Sequence, residues 1–90
     1  MAVTVLVPTV LQQRARGRKS LTSGGSTLDE LLDQLARDYA DLVAVIRKDG
    51  ALCRFVNVYR NGEDVRQQEG LRTVLSDGDE IQILPAVAGG

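Results

Sequence analysis

Residues Thr27–Tyr39, which read TLDELLDQLARDY, carry the strongest helical pattern in the chain. Thr27 and Glu30 have the spacing of a capping box, in which each side chain binds a backbone N–H group that the first helical turn leaves free. The apolar residues that follow recur at helical spacing: Leu28, Leu31, Leu32, Leu35 and Tyr39. We therefore expect an amphipathic helix with one face on a core and its carboxylates in water.

The residues before this helix predict two strands. Val3, Val5 and Val7 alternate with Thr4 and Leu6, which is strand periodicity, and Pro8 should end the strand. A weaker candidate covers residues 19–22 and is closed by Gly24-Gly25.

The residues after the helix continue with a second apolar set, Leu42, Val45 and Ile46, which either extends the helix or forms a short separate one before residues 48–50. Residues 54–60 then predict a strand. Asn61-Gly62 indicates a tight hairpin turn, and residues 63–66 the returning strand.

The last part of the chain predicts a short helical turn over residues 70–75, which should bring Leu71, Val74 and Leu75 to the core. A tight turn at residues 76–79 precedes a final strand, Glu80–Leu84, that ends at Pro85. One helix covers only one face of a sheet, so this order predicts a two-layer α+β domain over residues 1–85, with residues 86–90 as an extended tail.

The composition excludes several functional classes. The chain has 90 residues, one cysteine and no histidine, so we expect no disulfide, no usual zinc or haem site and no histidine-activated nucleophile. Its apolar runs are far shorter than the roughly 20 residues that cross a bilayer. The N-terminus shows no secretory signal pattern, and we expect a cytoplasmic protein with no membrane partner.

The charge is unevenly distributed. Residues 1–28 carry +4 and residues 29–90 carry −5. The bases cluster at residues 14–19, where no aromatic side chain is near to stack on a base, so we expect no nucleic-acid partner. We interpret this segment as a solvated loop, with contact to an acidic protein as the alternative.

The sequence contains few candidates for a catalytic side chain. The helix carboxylates and the turn residues Asp77 and Asp79 should be solvated or should cap local backbone groups, so we identify no catalytic residue. Gly24-Gly25 lacks the lysine and the spacing of a phosphate-binding loop. Cys53 lies beside Arg54, as a reactive thiol requires, but a lone cysteine at the start of a strand more often serves packing.

The C-terminal Gly89-Gly90 is the most informative feature. Glycine has no Cβ atom, so a backbone ending in two glycines can enter a narrow channel of another protein. We expect Ala86, Val87, Ala88 and Gly89 to enter the active site of a partner. The carboxylate of Gly90 would then attack the α-phosphate of ATP, and a sulfur nucleophile would displace AMP to leave a thiocarboxylate.

Three segments together resemble the MoaD/ThiS family of sulfur carriers: residues 3–11, 55–66 and 77–90. The resemblance covers the whole chain. It is greatest for the CysO-type carriers of actinobacteria, whose tail also reads Pro-Ala-Val-Ala-Gly-Gly. It implies a ubiquitin-like β-grasp fold, a mixed sheet of four to five strands with one main helix on one face and with the first and last strands parallel and adjacent.

The resemblance also implies the partners. An E1-like adenylating enzyme would use ATP and magnesium, and a persulfide would supply the sulfur, while the carrier itself binds no cofactor and catalyses nothing. In the CysO-type branch, a pyridoxal-phosphate-dependent cysteine synthase accepts the sulfur and a metalloprotease releases cysteine. Other branches make specialised thio-metabolites. The alternatives are a ubiquitin-like modifier joined through Gly90 to lysines, and a binding module with an incidental tail.

Strand alternation predicts a partner surface on the face of the sheet that lacks the helix. If the valines of the first strand and Ile81 and Ile83 point inward, then Leu6, Phe55 and Leu84 point outward. These three residues would form an apolar patch near the tail, of the kind that often marks a protein interface. The alternative is that they are scattered surface residues, since a register error of one residue reverses the faces.

Overall fold

The structure is a computed structural model, and it describes residues 2–86. Seven strands occur in this part of the chain: β1 Val3–Leu6, β2 Ser20–Ser23, β3 Arg47–Lys48, β4 Ala51–Leu52, β5 Val56–Arg60, β6 Glu63–Asp64 and β7 Glu80–Pro85. The α-helices are α1 Leu28–Leu35 and α2 Ala40–Ile46. Short 3-10 helices cover Thr9–Ala15, Val65–Gln67 and Gly70–Arg72.

Five strands form a mixed sheet in the order β2-β1-β7-β5-β6. β1 and β7 run parallel, with Val5 opposite Ile81, and the other pairs are antiparallel. The last strand therefore lies at the centre of the sheet, beside the first. This arrangement confirms the predicted α+β class and the β-grasp topology.

Helix α1 begins as the sequence predicts. Thr27 Oγ1 accepts a hydrogen bond from Glu30 N at 3.2 Å. The Glu30 carboxylate, however, accepts from Ser26 N at 3.4 Å, one residue earlier than the expected partner. The helix ends at Leu35, and Tyr39 is the N-cap of α2. Of the two alternatives for the second apolar set, the separate helix is correct.

The core lies between the sheet and the two α-helices. Strand side chains alternate as predicted, because Val3, Val5, Val56, Val58, Ile81 and Ile83 are all buried. They pack with residues from the helices, including Leu28, Leu31, Leu32, Leu35, Leu42 and Ile46. The remaining strand residues point to the other face of the sheet, because side chains alternate along a strand. Neither α-helix packs on that face.

Two carboxylates of helix α1 are exposed, as predicted, and also pair with an arginine. Arg47, which follows α2, lies 2.6 Å from Asp29 and 2.8 Å from Asp33. Burial alone would lower the pKa of Arg47, but these two carboxylates raise it. The contacts fasten α1 to the β3–β4 hairpin. Sequence reasoning missed this hairpin, since its turn, Asp49-Gly50, was interpreted only as the end of a helix.

Two predictions between β5 and β7 need correction. The returning strand is Glu63–Asp64 only, because the chain turns into a 3-10 helix at Val65. Val74, expected in the core, is 65% exposed. Thr27 and Val74 pair in an isolated β-bridge, so the backbone at Val74 is extended. Alternate side chains of an extended segment point the same way, and Thr73 and Leu75 are both buried.

Candidate functional site

The predicted site is the C-terminal tail, and the structure describes where that tail leaves the sheet. Pro85, the last residue of β7, is opposite Val56. Proline has no N–H group, but the next residue continues the pairing, because Ala86 N donates a 2.8 Å hydrogen bond to Phe55 O. Of the five residues predicted to form the tail, Ala86 is thus held against Phe55, the residue before β5. Val87, Ala88, Gly89 and Gly90 lie outside the described residues.

Arg66 fixes the segment that holds Ala86. Its guanidinium donates to Cys53 O at 2.7 Å, to Val56 O at 3.0 Å and to Asn57 Oδ1 at 3.1 Å. These acceptors lie on both sides of Phe55. The position of the Phe55 carbonyl, and with it the exit of the tail, is therefore set by a charged donor with three contacts. No sequence motif marks this role of Arg66.

Two of the three predicted partner-surface residues lie on the open face of the sheet. Leu6 is opposite Gln82, and Leu84 is opposite Asn57. Both leucines are half-buried, and their inward neighbours are buried as expected. Gln82 lies beside Leu6 and is also opposite Tyr59, so polar side chains share this face with the two leucines.

Phe55, the third predicted residue, precedes β5 and lines a groove of about 680 Å³ at the end of the sheet. Neither Leu6 nor Leu84 is among the residues that line this groove. The lining residues come from the first 3-10 helix, from α2 and the hairpin after it, and from the start of β5 and the end of β7: Val10, Leu11, Arg14, Ala44, Val45, Lys48, Asp49, Leu52, Cys53, Arg54, Phe55, Val56 and Pro85.

Cys53 lies in this groove in a packing position. It is half-buried against the core cluster, and its Sγ is 3.9 Å from Ala44 O. Its backbone N–H donates to Ile46 O at 2.8 Å. These contacts agree with the interpretation of Cys53 as a packing residue.

The basic segment is more ordered than the predicted solvated loop. Residues up to Ala15 form a 3-10 helix, and Ala15 is fully buried. The Arg16 guanidinium lies 5.2 Å from the centre of the Tyr39 ring and donates to Asp38 O at 3.2 Å. Arg14 donates to Asp41 O at 3.4 Å. The basic side chains are exposed, as expected for a solvated segment. The segment is not a free loop, however, because a buried alanine and an aromatic ring fasten it to the helices.

Of the two alternatives predicted for Asp79, solvation or capping of local backbone groups, the structure shows capping, because Asp79 binds Ser76 N, and it adds contacts to a distant turn. It is only 7% exposed and accepts hydrogen bonds from Ser76 N at 2.7 Å, Asn61 Nδ2 at 2.9 Å and Arg60 Nε at 2.7 Å. Burial alone would raise the pKa of Asp79, but these hydrogen bonds and the Arg60 charge lower it below its usual value. All its polar contacts are structural, and they position the start of β7.

Neither a metal-binding group nor a membrane-spanning helix is found among residues 2–86. In this range no three Cys, Asp or Glu side chains gather as metal ligands would. Likewise, none of the helices described there has the length and apolar character to cross a bilayer.

Comparison with known proteins finds relatives over the whole length of the chain. The ThiS family matches residues 5–90. The chain is 44% identical to the sulfur carrier protein CysO of Mycobacterium tuberculosis, over 100% of both chains. In a crystal structure of the BexX/CysO complex of Amycolatopsis orientalis, a chain 45% identical to this one superposes with a TM-score of 0.91, covering 98% of this chain and 99% of that one.

A second group of relatives carries a different name. The small archaeal modifier protein 1 of Methanosarcina acetivorans is 36% identical, with a TM-score of 0.84 over 99% of this chain and 96% of that chain. The matched family, the whole-length identity and the shared fold lead to one conclusion: this chain belongs to the ThiS family.

Proposed function

We propose that this protein is a sulfur carrier whose Gly90 carboxylate is adenylated and then converted to a thiocarboxylate. The observation that carries the proposal is the match to CysO, which extends over all of both chains and so includes their last residues. The hydrogen bond from Ala86 to Phe55 supports it, because that bond fixes the start of the segment that would be handed to an enzyme.

The chemistry needs activation because a carboxylate is a poor acyl donor. A carboxylate oxygen of Gly90 attacks the α-phosphorus of ATP, pyrophosphate leaves, and an acyl-adenylate forms. The outer sulfur of a persulfide then attacks the carbonyl carbon and AMP leaves. A thiol finally reduces the S–S bond, and the sulfur stays on Gly90. The chain itself supplies the carboxylate and its placement, and acts as a co-substrate.

The fold keeps the reacting group close to a rigid body. Four residues follow Ala86, and chain geometry limits them to a reach of about 14 Å from it. A partner that takes Gly90 into its active site must therefore also lie against the end of the sheet. This distance supports an enzyme that recognises the folded domain together with the tail.

We assign the remaining components to partners by chemical class. ATP and magnesium belong to an E1-like adenylating enzyme, and a persulfide donor supplies the sulfur. The acceptor is a biosynthetic enzyme such as a pyridoxal-phosphate-dependent cysteine synthase, with a metalloprotease that releases the product, or an enzyme that makes a specialised thio-metabolite.

The second candidate is a protein modifier joined through Gly90 to lysines, which the similarity to the archaeal modifier protein favours. Intact mass after co-expression with the adenylating enzyme separates the two functions. A carrier gains the mass difference between sulfur and oxygen. A modifier appears instead in isopeptide-linked adducts, and that result, without any sulfur-containing form, would overturn the proposal.

A further inference from the structure

The groove that contains Phe55 has the features of a binding surface. Phe55 is 81% exposed and Val10 is 69% exposed, although large apolar side chains of a small domain are normally placed in the core. Leu11, Val45 and Leu52 also line the groove and are partly buried against the core. The groove thus has several apolar lining residues, two of which are largely exposed.

The charged residues that line the groove favour an acidic partner. Arg14, Lys48 and Arg54 line it together with a single acid, Asp49. The whole chain carries a net charge of −1, so this positive surface is a local exception. Oppositely charged surfaces attract and orient a partner before contact, and this groove therefore favours an acidic one.

The groove is built on fixed backbone. Arg66 holds the carbonyl groups of Cys53 and Val56, and Cys53 N is bonded to Ile46 O. Pro85 also lines the groove, and Ala86 is bonded to Phe55. The groove therefore adjoins the point where the tail leaves the sheet. It is a different surface from the open face, because neither Leu6 nor Leu84 lines it.

We propose that this groove docks an acidic segment with an apolar side chain at its centre, carried by the enzyme that adenylates Gly90. This inference depends on the proposed function, since it takes that enzyme as the occupant. The short reach of the last four residues brings the enzyme against the groove. A leucine or phenylalanine of the enzyme enters between Val10 and Phe55, and flanking carboxylates meet Arg14, Lys48 and Arg54.

The test uses an E1-like enzyme that adenylates the full-length wild-type chain with ATP and magnesium. Its affinity is measured for the wild type, Phe55→Ala, Arg54→Glu and a matched control, Arg18→Glu. Arg18 is exposed and lies outside the groove, and its substitution changes the net charge by the same amount as Arg54→Glu. Heteronuclear spectra of each variant verify the fold.

We expect Phe55→Ala to weaken binding about tenfold or more, as for an aromatic residue at the centre of an interface. Arg54→Glu should weaken it and reduce its dependence on salt, while Arg18→Glu should stay within about twofold of the wild type. Unchanged affinity in both groove variants, with normal sulfur loading, would overturn this inference and leave the proposed function intact. A wild-type chain that no such enzyme adenylates would overturn the proposed function itself.

Two further outcomes assign the groove to another occupant, and each overturns the inference. If the chain's own tail fills the groove, nuclear Overhauser contacts join Val87 or Ala88 to Phe55 in the isolated protein. If a second copy fills it, sedimentation shows a concentration-dependent dimer that Phe55→Ala abolishes.

Discussion

Arg60 Nε lies 2.7 Å from Asp79 Oδ2, and this ion pair joins the last residue of β5 to the turn that begins β7. Asn61 completes the junction: its side chain binds Asp79 and Glu80 N, and its backbone N–H binds Glu80 O. The strand that ends at the tail is therefore anchored at its start by one buried carboxylate.

Replacing that carboxylate should make stability depend on pH in a defined way. Because the pKa of Asp79 is lowered by folding, its charge stabilises the fold above about pH 4, the usual aspartate range, and this contribution disappears as the pH falls through the lower folded-state pKa. We expect Asp79→Asn to lower the free energy of unfolding by about 1–3 kcal/mol at neutral pH. Urea unfolding at several pH values measures the difference between the two proteins, which should shrink in acid. A difference independent of pH would contradict this role.

Gly25 should resist substitution for a reason unrelated to phosphate binding. Its φ is +132°, and an added Cβ would lie 2.6 Å from Leu31 N in helix α1. Gly25→Ala should therefore destabilise the protein clearly more than Gly17→Ala. At Gly17, φ is +82° but a Cβ meets no atom within 4 Å, so only the backbone cost of about 1–2 kcal/mol applies. Thermal unfolding compares the stability of the two variants. An equal loss of stability in both would show that the added Cβ at Gly25 makes no costly contact with α1.

The sequence predicted the elements whose patterns are local. Alternating valines and isoleucines identify β1, β5 and β7, and the spacing of leucines identifies α1. Val74 is exposed and not in the core as expected, because its extended backbone depends on pairing with Thr27, which lies far away in the chain. The local cap of Ser76 by Asp79 agrees with the sequence, whereas its contacts with Arg60 and Asn61 are unpredictable for the same reason, since these donors come from another hairpin. The groove brings together residues from position 10 to position 85, so no local pattern could predict it.

Leu84→Glu should weaken the complex with the adenylating enzyme while the domain stays folded. Leu84 is half-buried on the open face, where a carboxylate still reaches water. Thr22→Glu is a matched control, because it adds the same charge to the same face on the outer strand β2. Calorimetric titration should show a lower affinity for Leu84→Glu alone. Equal affinities for both variants and the wild type would remove the open face from the partner surface.

Cys53→Ala should retain sulfur loading. The thiol packs against the core and the carbonyl of Ala44, so we expect a modest loss of stability, about 1 kcal/mol. Loading is followed by the rate at which an alkylating reagent specific for thiocarboxylates labels the protein. Loss of labelling in a folded Cys53→Ala variant would instead show that this thiol carries sulfur as a persulfide on its way to Gly90.

Mass spectrometry of the C-terminal peptide shows whether sulfur is placed on Gly90. After reaction with the adenylating enzyme, ATP, magnesium and a persulfide donor, trypsin cleavage at Arg72 yields a peptide of residues 73–90 that contains no cysteine. The account predicts that fragmentation of this peptide locates one oxygen-to-sulfur exchange at Gly90, and that a chain lacking Gly90 shows none although it remains folded. An unmodified C-terminal peptide from a reaction in which ATP was consumed, or sulfur found only on Cys53, would contradict it.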